Sequence, residues 1–175
     1  MTKTNVKELT LYALSISLVL LATAFINIRL PIVGNGGLIH LGNVPLFVIA
    51  ILYGKKAGFL AGSMGMALFD LLSGWTLWAP FTFIIVGCMG YTVGLISERN
   101  SDNSNTKDFI AMVIALCIKI CGYYCAEVIL YGNYLTPIGS IIGNVLQVSV
   151  AIAITLPITS QLKRYCKEGG ILCIN

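Results

Sequence analysis

Residues 41–73 read LGNVPLFVIAILYGKKAGFLAGSMGMALFDLLS. Two apolar runs flank the pair Lys55-Lys56, and the only carboxylate in the stretch, Asp70, stands near its far end. A helix that crosses a bilayer needs about 20 mainly apolar residues, so the arms 41–54 and 57–73 are both short. The reading that keeps both is a tight helical hairpin turning at the lysines, with the first arm beginning in the loop before it. Gly54, Gly58 and Gly62 recur at every fourth position, and Gly90 with Gly94 repeats the spacing. Such stripes of small residues let helices approach closely in lipid.

The rest of the chain has the same character. Of its 175 residues 57% are hydrophobic and 10% charged, with a mean hydropathy of +0.89, whereas a soluble domain carries about 25% charged residues. Lipid is therefore the expected solvent. Six spans are predicted, roughly 8–30, 41–54, 57–73, 78–97, 108–131 and 135–162, in a single all-α, polytopic membrane domain covering 1–175. Pro31, the Gly34 to Gly37 cluster, Gly74, the polar run 100–106 and the stretch Gly132 to Pro137 punctuate them. The polar run reads as a loop and not as a domain boundary.

Positive charge orients the bundle. Lys3 and Lys7, Lys55 and Lys56, Arg99 and Lys107, and Lys163, Arg164 and Lys167 all fall on one side of the six-span arrangement. Basic residues of short loops stay in the cytoplasm, so both termini are predicted to be cytoplasmic. The net charge of +4 then reflects topology and gives no reason to expect nucleic acid. Ala22-Thr23-Ala24 resembles a signal-peptide cleavage site, but removing the first span would spoil the alternation of charge.

Six cysteines raise the question of metal. Cys117, Cys121 and Cys125 share one stripe of span five, without a Cys-Xaa-Xaa-Cys pair or a histidine beside them, and tetrahedral ligation would need a second helix of ligands. They read as small, buried, reduced thiols packing between helices, as does Cys88. No metal and no cofactor is expected.

Placing the polar residues by depth brings them to one level. In the predicted orientation His40 and Asn43 lie at the outer end of span two, Asp70 near the outer end of span three, and Glu127 about one turn before span five exits. Asn144 and Gln147 lie about 13–18 Å below the start of span six at 1.5 Å per residue. Trp75, Trp78, Tyr131 and Tyr134 surround the same level. Lys119, Tyr123 and Glu127 recur at every fourth position and share one side of span five, as Asn144 and Gln147 share a face of span six. An ionisable group inside a membrane is costly and by default marks a functional site. The candidate binding residues are therefore His40, Asn43, Asp70, Trp75, Trp78, Tyr123, Glu127, Asn144 and Gln147. Against this stands a purely structural reading in which the carboxylates pair with His40, Lys119 or the backbone, the amides join helices and the tryptophans belong to an interfacial belt.

Enzyme chemistry finds no support. The chain carries no Gly-Xaa4-Gly-Lys-Ser/Thr phosphate loop, no Gly-Xaa-Ser-Xaa-Gly nucleophile elbow, and no inverted repeat with broken helices of the kind found in self-sufficient secondary transporters.

Gly36 to Asn43, Leu52 to Gly58, Gly62, Ala67 to Leu72, Pro80, Gly87 to Gly94, Ala126-Glu127 and Gly143 to Gln147 occur in an order that resembles the substrate-binding S components of energy-coupling factor (ECF) transporters. The subgroup is that of riboflavin, pyridoxine and hydroxymethylpyrimidine carriers. The resemblance implies a six-helix protein of the prokaryotic plasma membrane that captures a vitamin from outside and then docks on a transmembrane coupling subunit driven by two ATPase subunits. It places the partner-docking small-residue motif on Ala13 and Ser17, and the lid of the pocket around Gly34 to Ile39. Two carboxylates, a histidine, two amides and several aromatic rings suit a small heteroaromatic ring with amine or hydroxyl groups. The pyridoxine or hydroxymethylpyrimidine class is expected, with riboflavin as the alternative. A solitary carrier, transporting without partners, and a membrane scaffold, binding no small molecule, are the rival classes.

Overall fold

A computed structural model describes residues 6–29, 38–98 and 105–167. Five helices run α1 (Val6–Phe25), α2 (Asn43–Leu72), α3 (Ala79–Glu98), α4 (Asn105–Tyr131) and α5 (Ile138–Lys167), and a short antiparallel pair, β1 (Asn27–Arg29) and β2 (Leu38–His40), lies between α1 and α2. All five helices are long and apolar enough to cross a membrane. Their outward faces carry large apolar side chains that a soluble protein would hide; Leu14 is 65% exposed and Ile142 67%. Those faces suit lipid, where backbone groups must be satisfied inside each helix.

The sequence that decided the fold behaves as its glycines require. Within α2 the helix breaks at Gly54, whose φ of 83° and ψ of −176° belong to a region of backbone space that is essentially restricted to glycine. A Cβ placed on Gly58 would meet Ala50, and one on Gly62 would meet Leu46. These contacts are symmetric about residue 54, so the two arms of α2 fold back antiparallel at the predicted hairpin. Glu98, at the end of α3, closes the turn: its carboxylate accepts the Lys55 backbone N–H at 2.9 Å and the Lys55 ammonium at 2.7 Å. The glycine stripes also seat α3, because side chains at Gly58 and Gly90 would each strike the other's backbone carbonyl, and one at Gly94 would strike the backbone at 54–55.

Helix ends have local causes. Span one was expected to run to residue 30, but α1 stops at Phe25 and the chain turns into β1. The Asn27 amide donates to the carbonyls of Thr23 and Ala24, satisfying acceptors that a further turn would have used. At the end of α2, Gly74 takes a φ of 85° and Trp75 N–H bonds back to the Asp70 carbonyl at 2.8 Å, a Schellman-type stop. The all-α expectation thus holds for the bundle and misses the small β pair, in which Asn27 faces His40 and Arg29 faces Leu38.

Leu46, Phe47 and Ala50 from the first arm of α2 meet Met66, Val86, Met89, Val93, Met112 and Val148 in the core. The polar groups divide between the two ends. At one end, beside Lys55 and Glu98, buried Asp108 accepts from Ser97 Oγ at 2.9 Å and pairs with Lys163. At the other lies the cavity.

The cysteines correct one expectation. Cys88, Cys117, Cys121 and Cys125 are exposed on the outside of the bundle and do not pack between helices. The face of α4 opposite Lys119 therefore looks outward, where a thiol behaves as a small apolar group.

Candidate functional site

A cavity of about 140 Å³ opens where the end of α1 at Thr23, β2, the C-terminal arm of α2, the start of α3, the last turns of α4 and the first turns of α5 converge. Each element brings its side chains by simple spacing. Met66 and Asp70 are one turn apart on α2, Trp78 and Thr82 one turn apart at the start of α3, and Lys119, Tyr123, Glu127 and Tyr131 climb a single face of α4. Ser140, Gly143, Asn144 and Gln147 form the α5 wall, and Ile39 and His40 close the side toward the β pair.

Aromatic rings make one continuous wall. Trp78 lies 6.3 Å from Tyr123 and 6.1 Å from Tyr131, centroid to centroid, within the range of productive ring contacts. His40 lies 6.5 Å from Phe69, and its Nδ1 accepts the Gly42 N–H.

A hydrogen-bonded chain crosses the floor. Lys119 Nζ donates to Gln147 Oε1 at 2.6 Å, and Gln147 Nε2 donates to the His40 carbonyl at 3.0 Å. The amide orientation is forced from both sides, since an ammonium can only donate and a carbonyl can only accept. Thr82 and Tyr123 share a hydroxyl contact of 3.2 Å. One atom is left over at the cavity wall: Asp70 Oδ2 is buried without a hydrogen-bond partner among the described residues. A buried polar atom of this kind costs free energy unless something meets it.

Eight of the nine residues singled out from sequence line this cavity: His40, Asp70, Trp75, Trp78, Tyr123, Glu127, Asn144 and Gln147. Asn43 does not. It is fully buried at the first turn of α2, outside the cavity lining, and both polar atoms of its amide lack a partner among the described residues. Sequence reasoning left out Met66, Thr82, Ser140 and Lys119 as site residues. The first three stand four positions from Asp70, Trp78 and Asn144, so one turn of helix pointed to them. Lys119 stands four positions from Tyr123 on the face it shares with Glu127, so the same spacing pointed to it. Tyr134, expected at this level, is exposed and outside the lining. Of the lid stretch Gly34 to Ile39, residues 34–37 lie outside the described residues, and Ile39 lines the cavity. Ala13 and Ser17 are both exposed on α1, with Ser17 Oγ bonded to the Ala13 carbonyl at 2.9 Å.

The cavity has polar groups set in a largely apolar wall, inside a bundle of helices apolar enough to cross a membrane. The sequence pattern of the ECF-type riboflavin transporter S component matches residues 3–164. The chain belongs to that family. It is a transport component, and not an enzyme. Among its relatives, the thiamine precursor transporter HmpT of Lactococcus lactis subsp. cremoris is 25% identical over 161 residues, covering 91% of this chain and 90% of that protein. An uncharacterised protein of Pyrococcus woesei is 30% identical over 105 residues, 60% of this chain and 69% of its own length. Within this S component the matched region contains every cavity residue named above.

Proposed function

We propose that this S component captures a single-ring vitamin precursor of the hydroxymethylpyrimidine or pyridoxine class from outside the cell. It then delivers the ligand inward through a coupling subunit driven by two ATPases. The observation that carries the choice of ligand is the size of the cavity. About 140 Å³ compares with the ~150 Å³ cavity that holds one benzene ring, and falls below the ~300–1,000 Å³ of sites for drug-sized molecules. One six-membered ring fits; the three fused rings and ribityl chain of riboflavin ask for far more. The likeness to a thiamine precursor transporter along 91% of the chain supports the same choice, since the free precursor of thiamine's pyrimidine half is a single ring bearing an amine and a hydroxymethyl group.

The lining supplies the matching chemistry. Trp78 and Tyr123 offer faces on which a flat ring can stack, and the carboxylates of Asp70 and Glu127 accept from an amine or hydroxyl. In this reading the cavity end is extracellular. The end carrying Lys55, Glu98, Asp108 and Lys163 is cytoplasmic, as are both termini, and the two arms of α2 count as separate spans of a six-span protein.

Calorimetry of the purified chain in detergent against hydroxymethylpyrimidine, pyridoxine, thiamine and riboflavin tests the proposal. One-to-one binding of hydroxymethylpyrimidine or pyridoxine, at least a hundredfold tighter than riboflavin, is the expected result. Preference for riboflavin would overturn the size argument, and silence across all four would overturn the substrate class.

A further inference from the structure

The cavity contains a cation that the proposed reading leaves unused. Lys119 is 2% exposed, and an ammonium has three N–H groups to satisfy. Among the described residues its one hydrogen-bond partner is Gln147 Oε1, and no carboxylate lies within the 4.0 Å of an ion pair. The Tyr123 ring covers one side, 5.8 Å from Nζ to the centroid. Gln147 cannot turn to offer more, because the His40 carbonyl holds its amide. The remaining donor capacity of Lys119 faces the cavity it lines. Across from α4, on α2, the buried Asp70 Oδ2 is an acceptor without a partner. The cavity therefore has a donor wall and an acceptor wall, each incomplete. Buried charges in this state are stable only when hydrogen-bonded.

We propose that Lys119 is a specificity-determining ligand contact that donates to a ring nitrogen, while Asp70 accepts from the ligand's amine. The aromatic wall sets the geometry. Lys119 Nζ lies over the Tyr123 ring, so a flat ring stacked on the neighbouring Trp78 presents its edge to the ammonium, and the acceptors on the edge of a pyrimidine or pyridine are its ring nitrogens. The site then selects heteroaromatic rings over carbocycles of the same shape, because a carbocycle leaves Lys119 unanswered. This inference rests on the single-ring reading above.

The test crosses a change in the protein with a change in the ligand. Binding of hydroxymethylpyrimidine and of its carbocyclic counterpart, 2-amino-4-methylbenzyl alcohol, is measured by calorimetry for the wild type and for Lys119→Met. The wild type is expected to prefer the pyrimidine by about tenfold or more, the range of a hydrogen bond from a charged donor. Lys119→Met should lose that preference through weaker pyrimidine binding alone. Its ligand-free thermal midpoint is expected to fall, because the buried Gln147 Oε1 loses its donor, but a general loss of stability weakens both ligands alike and does not remove the preference between them. Undiminished pyrimidine binding in the variant, or a preference that survives it, overturns the assignment of Lys119. If the variant does not fold, the wild type decides alone, and equal affinity for the two ligands overturns the proposal. Failure of the wild type to bind any member of the single-ring panel overturns the underlying reading and Lys119's role with it.

Discussion

Asp70 and Glu127 are the two carboxylates of the cavity, and their surroundings differ. Each stands beside a hydroxyl, Asp70 by Thr82 and Glu127 by Ser140, but of the two only Asp70 keeps a buried oxygen without a partner among the described residues. An amine that meets Asp70 gains a charge-assisted hydrogen bond and also relieves an existing cost. Asp70→Ala is therefore expected to weaken ligand binding by about tenfold or more, with Glu127→Gln weakening it less, both read by calorimetry. Unchanged affinity in Asp70→Ala would return that carboxylate to helix pairing. Gln147→Leu should be more disruptive than either, since it breaks two hydrogen bonds at once and leaves the Lys119 ammonium without its one protein acceptor among the described residues. Its expected signature is a lowered thermal midpoint even without ligand, by an amount corresponding to about 1–3 kcal/mol.

At the scale of elements, the fold-back of α2 rests on one backbone conformation. Gly54 combines the glycine-only φ and ψ with no room for a side chain, because a Cβ there would meet the Glu98 carboxylate that closes the turn. Gly54→Ala should cost about 1–3 kcal/mol from backbone strain alone, and thermal unfolding in detergent with and without ligand would measure it. By contrast, Glu98→Gln should cost less than about 1 kcal/mol, since the Lys55 and Glu98 side chains are about one-third exposed and such pairs contribute little. Gly54 would then be the cause of the hairpin and the ion pair its accessory. A larger loss from Glu98→Gln than from Gly54→Ala would reverse that order.

For the molecule as a whole, the division of polar groups between two ends has a mechanical meaning. The cavity end gathers polar groups around an open space; the ion-paired end fastens α3, α4 and α5 together through Ser97, Asp108 and Lys163. Ala13 and Ser17 lie on the exposed face of α1, away from the cavity lining. If that face docks on the coupling subunit, Ala13→Trp should abolish uptake into cells or proteoliposomes containing the complete transporter, and leave ligand affinity in detergent unchanged. Loss of binding by the isolated variant would sink the docking assignment.

The sequence by itself determined the apolar character of the helices, the hairpin and the level of the cavity. Apolar runs with almost no charge can only live in lipid, two lysines between short runs demand a turn, and glycines at every fourth position mark where helices touch. Those are properties of composition and of local spacing, so a linear reading recovers them, and eight of nine candidate side chains do line one cavity. Tertiary structure decided what local spacing cannot. Asn43 and Asp70 are both polar and both near helix ends, but only the packing of α5 and β2 separates a wall of the cavity from its surroundings. The cysteine stripe was visible as a stripe, and only the position of α4 among its neighbours shows that it looks outward. The link from Lys119 through Gln147 to the His40 carbonyl joins residues as much as 107 positions apart, and the size of the cavity belongs to no single segment. Both arise only where separate elements of the chain meet.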